Sequence, residues 1–236
     1  TRNRYFNERA TFNPFVEYLK QNNHLPCIFF IFSRKKCKQY AKYININLIN
    51  HEQRAEIEKI LVKINKVVSA IDPKLETIVC GSFRRMKDTS GDIDMLVLHP
   101  DIVSTSDAEG VSYLQDIVRE LSKKNILVDH LTEDGKTKYM GLCQLTKKSK
   151  ARRIDIRFIP YQSKGAAMLY FTGSGEFNKV MRSMALKKGY TINEYGIYKT
   201  KKEGKKQVKD KLIPTDNEQD IFDIVEMDYL EPQNRV

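Results

Sequence analysis

Long apolar runs are missing from this chain. Nothing approaches the roughly 18 consecutive apolar residues of a membrane-spanning helix, and a stretch such as Ile28 to Phe32 has only strand length. Cysteine is scarce as well. Cys27, Cys37, Cys80 and Cys143 are scattered and form no Cys-x-x-Cys pair. That argues against a disulfide framework and for a reducing compartment, nuclear or cytoplasmic, a viral factory included. There is no Gly-Lys-Ser/Thr phosphate loop and no Asp-Glu box, so ATP hydrolysis is not expected. No signal-like apolar segment follows Thr1, and no initiator methionine precedes it. The sequence therefore reads as processed, trimmed, or cut from a longer chain.

What is present is an ordinary globular composition. The 236 residues, 41% apolar and 30% charged, suffice for one large domain or two small ones. The net charge of +11 is unevenly spread. Residues 1–47 carry four Arg and five Lys against two Glu, and residues 199–211 carry seven Lys against Glu203 and Asp210. Residues 215–236 reverse the sign, with seven acids and one Arg. Localised positive segments suggest a polyanionic partner, because phosphate contacts release counterions whatever the sequence.

Periodicity organises the rest. Residues 1–46 suggest a short helix around Phe15–Lys20, a buried strand at Cys27–Phe32 and a basic helix from about Arg34 to Tyr43. Asn50 and Gln53 make a capping box for a helix whose Ile57, Ile60, Leu61, Ile64, Val67, Val68 and Ile71 form one apolar stripe, stopped at Asp72-Pro73. A strand at Thr77–Cys80 follows, then Gly81-Ser82 and a basic turn, then a strand over Gly91–Leu98. A helix is expected near Gly110–Lys123, and a meander of short strands to about Leu145. Arg152–Ile159 alternates strictly, with Arg153, Asp155 and Arg157 on one side. From Gly165 the chain reads as a smaller α+β unit: a helix near Phe177–Lys188, a lysine-rich hairpin and the acidic tail.

Asp92 and Asp94 lie two apart on an otherwise apolar strand, so both carboxylates leave one face. Like charges that close are costly unless something positive sits between them. Asp155 is a plausible third ligand if the two strands are neighbours. Three carboxylates without Cys or His select a hard cation, Mg²⁺ or Mn²⁺. Gly81-Ser82 after a strand supplies close backbone approach and amides for an anion, with Ser82 and Arg85 as added donors. Metal beside a phosphate cradle is the apparatus of phosphoryl or nucleotidyl transfer. Each piece alone is more often a turn or a solvated loop end; the combination is far more specific.

Five motifs in order, Gly81-Ser-Phe-Arg-Arg85, Ser90-Gly-Asp-Ile-Asp94, Arg152-Arg-Ile-Asp-Ile-Arg157, Tyr170-Phe-Thr-Gly-Ser174 and Thr191-Ile-Asn-Glu-Tyr195, resemble the X family of DNA polymerases, of the beta type. The similarity runs from about Asn50 to Arg235, roughly four fifths of the chain. It implies an α+β fold: a nucleotidyltransferase palm with a mixed sheet flanked by helices over 50–160, and a small α+β nucleotide-selecting subdomain over 161–236. A short basic βα segment over 1–49 precedes them. By this resemblance Asp92, Asp94 and Asp155 would hold two Mg²⁺ ions, with Mn²⁺ able to substitute, and Arg153 would stand at the primer terminus. Gly81, Ser82, Arg85, Ser90 and Gly91 would grip the triphosphate. Tyr170, Phe171 and Gly173 would bound the sugar, and Asn178 would meet the base edge. Arg182, Arg157, Lys179 and Tyr195 would contact DNA. The implied partners are gapped or primer-template DNA and a deoxynucleoside triphosphate, with no membrane, for a monomer that fills short gaps in repair.

Three departures qualify that pattern. Gly175 stands where beta-type enzymes usually carry an acid that touches the nucleotide, so closure would be weaker. Met86 replaces a small residue after the double arginine. Residues 1–49 have no room for the family's lyase domain and helix-hairpin-helix modules. The segment Asn13–Ile44 instead resembles the first strand and helix of the second RecA-like domain of superkiller-type RNA helicases, over some 30 residues. Two alternatives stand beside gap filling. One is untemplated nucleotidyl transfer, disfavoured because terminal transferases typically carry Gly-Trp where Tyr170-Phe171 stands. The other is a helicase-associated DNA-binding module with a silent palm, disfavoured by the intact carboxylates.

Overall fold

The computed structural model describes residues 8–22, 51–87, 90–132, 135–203 and 206–235. The chain divides into two compact units, Thr1–Leu48 and Ile49–Val236. In the first unit the described part is a helix, α1 (Glu8–Gln21), longer than the segment expected at Phe15–Lys20. The expected strand at Cys27–Phe32, the basic helix after it, the Asn50 cap and most of the helicase-like stretch lie outside the described residues.

The second unit opens with α2 (His51–Ile71). Its stripe is buried as the spacing requires: Ile57, Ile60, Leu61, Ile64, Val67 and Val68 all face the core. Each fully buried aliphatic side chain contributes about 1.5–3 kcal/mol, so the stripe rather than helix propensity holds α2 in place. Then come β1 (Glu76–Val79), the single turn α3 (Gly81–Arg84) and β2 (Asp92–Leu98). A short helix not expected from the sequence, α4 (Thr105–Gly110), precedes the one expected near Gly110–Lys123, which is present as α5 (Tyr113–Lys123). A capping box explains the extra start. Ser104 accepts from the Asp107 amide and Asp107 from the Ser104 amide, nucleating α4 on its own. Strands β3 (Leu127–His130), β4 (Lys138–Cys143) and β5 (Arg152–Phe158) complete a five-stranded sheet of order β1-β2-β5-β4-β3. Only the β2–β5 pair is parallel, so the sheet is mixed.

The two faces of this sheet differ. Ile93, Met95 and Val97 of β2 and Ile154, Ile156 and Phe158 of β5 point into the core under α2 and α5. The alternate residues face the other way. There Leu96 and Leu98 join Cys80, Ile159 and Ala167 beneath the next helix, while Asp92 and Asp94 lie beyond its cover.

That helix, α6 (Lys164–Thr172), follows a 3₁₀ turn at Tyr161–Ser163. It leads into α7 (Gly175–Lys187), β6 (Tyr190–Asn193), β7 (Gly196–Glu203), β8 (Lys206–Ile213) and α8 (Glu218–Ile224). The three strands form an antiparallel sheet in sequence order. Phe177, Met181 and Ala185 of α7 pack with Ile192, Ile197, Ile221 and Phe222 as a second core. Among the described residues no helix is long and apolar enough to cross a membrane.

Candidate active site

Parallel pairing of β2 with β5 sets Asp94 directly opposite Asp155, and Asp92 opposite Arg153. The condition left open by the sequence, that the two strands be neighbours, is met. One oxygen from each of Asp92, Asp94 and Asp155 lies within 4.8 Å of the others. Arg153 bridges the group, donating to Asp92 and, at 3.3 Å, to Asp155. One guanidinium does not neutralise three carboxylates. Burial, then the charges of Asp92 and Asp155, push the Asp94 carboxyl up to about 6, against the pull of Arg153 and Arg85. Burial also raises Asp155, with Arg153 opposing. Asp155 Oδ1 is buried with no hydrogen-bond partner. An orphaned carboxylate oxygen in an all-oxygen donor set fits a hard divalent cation.

The Gly81-Ser82 turn is folded onto these acids. Gly81 adopts φ +61 at the start of α3. A Cβ there would lie 2.1 Å from Asp94 Oδ2, so only glycine lets the backbone come this close. Ser82 donates to Ser90 at 3.1 Å, and the buried Ser90 donates to the Asp92 carbonyl at 2.8 Å. The Gly81-Ser82 turn and β2 are thereby tied together, with Gly91 exposed between them. Gly81→Ala must displace Asp94. A misplacement of about 1 Å can cost about a hundredfold in rate, so we expect at least that loss in a single-turnover extension assay, with the fold retained by circular dichroism. Rates within threefold of wild type would contradict the close approach described here.

Arg85 donates to the Thr172 carbonyl, while its buried Nε has no partner, an orphan donor suited to an anion. Thr172 closes α6, and the Gly173-Ser174 turn connects it to α7. Around this turn Asn178 Nδ2 donates to the Tyr170 carbonyl at 2.7 Å, and Arg182 lies over the Tyr170 ring at 5.1 Å. Arg157 lies over Phe171 at 5.4 Å. Tyr170, Phe171, Gly173, Asn178, Arg182 and Arg157 thus form one neighbourhood reached from the Gly81-Ser82 turn through Arg85. Gly175 has open space about it. Lys179 is exposed and paired with Glu176 at 2.8 Å. Tyr195 sits in the β6–β7 turn, its carbonyl accepting from Ser163 at the amino end of α6, the end opposite Tyr170 and Phe171.

Sequence reasoning missed the supports behind these groups. Arg84, read as part of a basic turn, donates to Thr172 Oγ1 at 2.5 Å and to both oxygens of Glu218 at 2.9 and 2.6 Å. Glu218 is buried and also accepts from the fully buried Arg235 at 2.7 Å. Nothing in composition or spacing pairs residues 134 apart.

Comparison with known proteins settles the ancestry. Residues 53–161 match the family model for the DNA polymerase beta palm, and residues 167–236 match that for the DNA polymerase beta thumb. This chain belongs to the X family of DNA polymerases. Among its X-family relatives, DNA polymerase lambda of Rattus norvegicus is 36% identical over 192 residues, covering 78% of this chain and 32% of the relative. DNA polymerase lambda of Arabidopsis thaliana is 27% identical, covering 77% and 36%. DNA nucleotidylexotransferase of Homo sapiens is 26% identical, covering 80% and 41%. The chain therefore spans about a third of the length of the lambda-type relatives it matches.

Proposed function

We propose that this chain transfers a deoxynucleotide from its triphosphate to a primer 3′-hydroxyl on gapped or primer-template DNA, as a monomer that fills short gaps during repair. The observation that carries the reading is the register of β2 and β5, which brings Asp92, Asp94 and Asp155 together beside the Gly81 turn. Asp92 and Asp94 would hold both Mg²⁺ ions and Asp155 one of them. When bound, the ions neutralise charge on the triphosphate and on the attacking and leaving oxygens. The remaining work belongs to the chain's own side chains. Arg85, Ser82, Ser90 and the amides of Gly81 and Gly91 orient the phosphates. Arg153 holds the Asp155 carboxylate in place and stands ready for the primer terminus. Tyr170, Phe171 and Gly173 bound the sugar, and Asn178 meets the base edge once released from the Tyr170 carbonyl. The palm is assigned to about 50–160 and the nucleotide-selecting subdomain to 161–236.

The relative that is a nucleotidylexotransferase keeps untemplated addition as a second reading. One primer-extension assay separates the two. We expect incorporation opposite a gap, dependent on the template base, abolished by chelation and restored by Mg²⁺ or Mn²⁺. Template-independent extension of single-stranded DNA at a comparable rate would favour the second reading. No extension of any substrate would favour a silent palm. In the same assay deoxynucleotides should outcompete ribonucleotides by well over tenfold in kcat/KM; parity would remove Tyr170 and Phe171 from the sugar site.

A further inference from the structure

Of the seven methionines, only Met86 has an exposed side chain. Its relative exposure is 61%, whereas Met95 and Met181 are buried and Met140, Met168, Met184 and Met227 are partly covered. Met86 follows Arg85 directly and closes the α3 turn, its amide donating to the Phe83 carbonyl at 3.1 Å. The backbone there has φ +56, a left-handed conformation that glycine adopts freely and other residues seldom. Strained positions of this kind concentrate at functional sites and switch regions.

The Met86 side chain contacts Arg54, near the start of α2. Arg54 Nη2 donates to Met86 Sδ at 3.2 Å, and the same guanidinium lies over the Phe83 ring at 4.2 Å. Phe83 packs against the main core and stands in the chain between Ser82 and Arg85, two of the donors assigned to the triphosphate. One guanidinium therefore joins an accessible sulfur to the ring that seats the Gly81–Arg84 turn. A thioether is only a weak acceptor, whereas oxidation makes this apolar side chain polar and chiral. An oxygen added to Sδ draws the guanidinium toward itself and off the ring face, and the cation–π attraction depends on that placement.

We propose that Met86 is an oxidation site, converted by peroxides to the sulfoxide, and that the change loosens the hold of residues 81–85 on the incoming triphosphate through Arg54 and Phe83. The sulfur lone pair attacks one peroxide oxygen. The S–O bond forms as the O–O bond breaks, and sulfur is oxidised by two electrons. With hydrogen peroxide, the proton of the transferred hydroxyl passes to the departing oxygen, which leaves as water. Methionine sulfoxide reductase reverses the modification. The inference rests on the polymerase reading above and adds a reversible adjustment of its nucleotide affinity.

The test treats the protein with dilute hydrogen peroxide, then with dithiothreitol to return reversibly oxidised cysteines. Peptide mass spectrometry, primer extension and calorimetric titration with a Mg²⁺-deoxynucleoside triphosphate follow. Met86 should be oxidised at least about fivefold faster than any other methionine. The nucleotide KM and calorimetric Kd should each rise roughly three- to tenfold, with kcat and DNA affinity within about twofold, the mark of lost ground-state binding. Sulfoxide reductase should restore both. Met86→Leu should keep its own untreated KM after peroxide. Arg54→Ala should start from a raised KM and gain nothing more, although its Met86 is still oxidised; a general loosening of the fold would not cancel the peroxide effect in this way. Earlier oxidation of another methionine, unchanged nucleotide affinity, a peroxide effect that survives in Met86→Leu, or an undiminished one in Arg54→Ala overturns the proposal. Should wild type bind nucleotide but extend no primer, the polymerase reading fails, while peptide mapping and calorimetry still decide this one.

Discussion

Replacing Asp155 with Asn should lower the single-turnover rate of primer extension by about a thousandfold or more, while DNA affinity stays within a few-fold. The amide keeps the shape of the carboxylate but removes its charge from a cluster whose oxygens lie within 4.8 Å of one another. Among the described residues Asp155 Oδ1 is a buried acceptor without a hydrogen-bond partner, so a cation held by the three carboxylates would lose a ligand there. Metal-ion stabilisation is worth several kcal/mol of barrier, and each ~1.4 kcal/mol is a factor of ten in rate. Arg153 would keep its bond to Asp92, so the strand should not unravel. Activity within tenfold of wild type would remove Asp155 from the three-carboxylate assignment.

Glu218→Gln should be the most destabilising single change in the C-terminal half, lowering the unfolding free energy by about 3–5 kcal/mol, the usual cost of breaking a buried ion pair. Glu218 is 5% exposed and Arg235 is wholly buried, ringed by Phe177, Phe222 and Tyr229. Arg235 Nη2 already lacks a partner, so removing the carboxylate strands a guanidinium among aromatic rings. The effect carries a pH signature. Burial pushes the Glu218 carboxyl up, but hydrogen bonds and charge from Arg84 and Arg235 outweigh it and hold it below the usual glutamate range. A depressed folded-state pKa adds stability above the unfolded value and loses it as pH falls through the folded one. The gap between wild type and Glu218→Gln in urea melts should therefore be full at pH 7 and narrow steadily in acid. A gap that is constant with pH would mean that shape, not charge, holds this junction.

The legibility of the molecule follows how far apart its determinants lie. The α2 stripe and the Asp92–Asp94 pair were readable because helix and strand periods act over a few residues. Asp155 was readable only on the condition that its strand lies beside β2, and that parallel pairing is a tertiary fact. The helix α6 escaped because its residues pack on two sides, Ala166 and Leu169 in one cluster and Ala167 in another, so no single stripe marks it. Ser104 starts a helix in the stretch between Leu98 and Gly110, to which no element was assigned from the sequence. Glu218 read as one acid of an acidic tail, yet it is neutralised by Arg84 from the turn between β1 and β2 and by Arg235 near the last residue.

The sidedness of the five-stranded sheet bears on how such a protein can change over time. Ile93, Met95, Ile154 and Ile156 anchor the strands from below, while Asp92, Asp94 and Asp155 emerge above on the alternate positions of the same strands. Aliphatic exchanges that conserve volume beneath the sheet usually cost less than about 1.5 kcal/mol. They adjust thermal tolerance without moving a carboxylate to the wrong face, since the pleat forbids half-steps. Selection on durability and selection on chemistry can then act on interleaved residues of one strand almost independently. A laboratory lineage evolved for heat resistance should accumulate its changes at the odd-numbered positions of β2 and the even-numbered positions of β5.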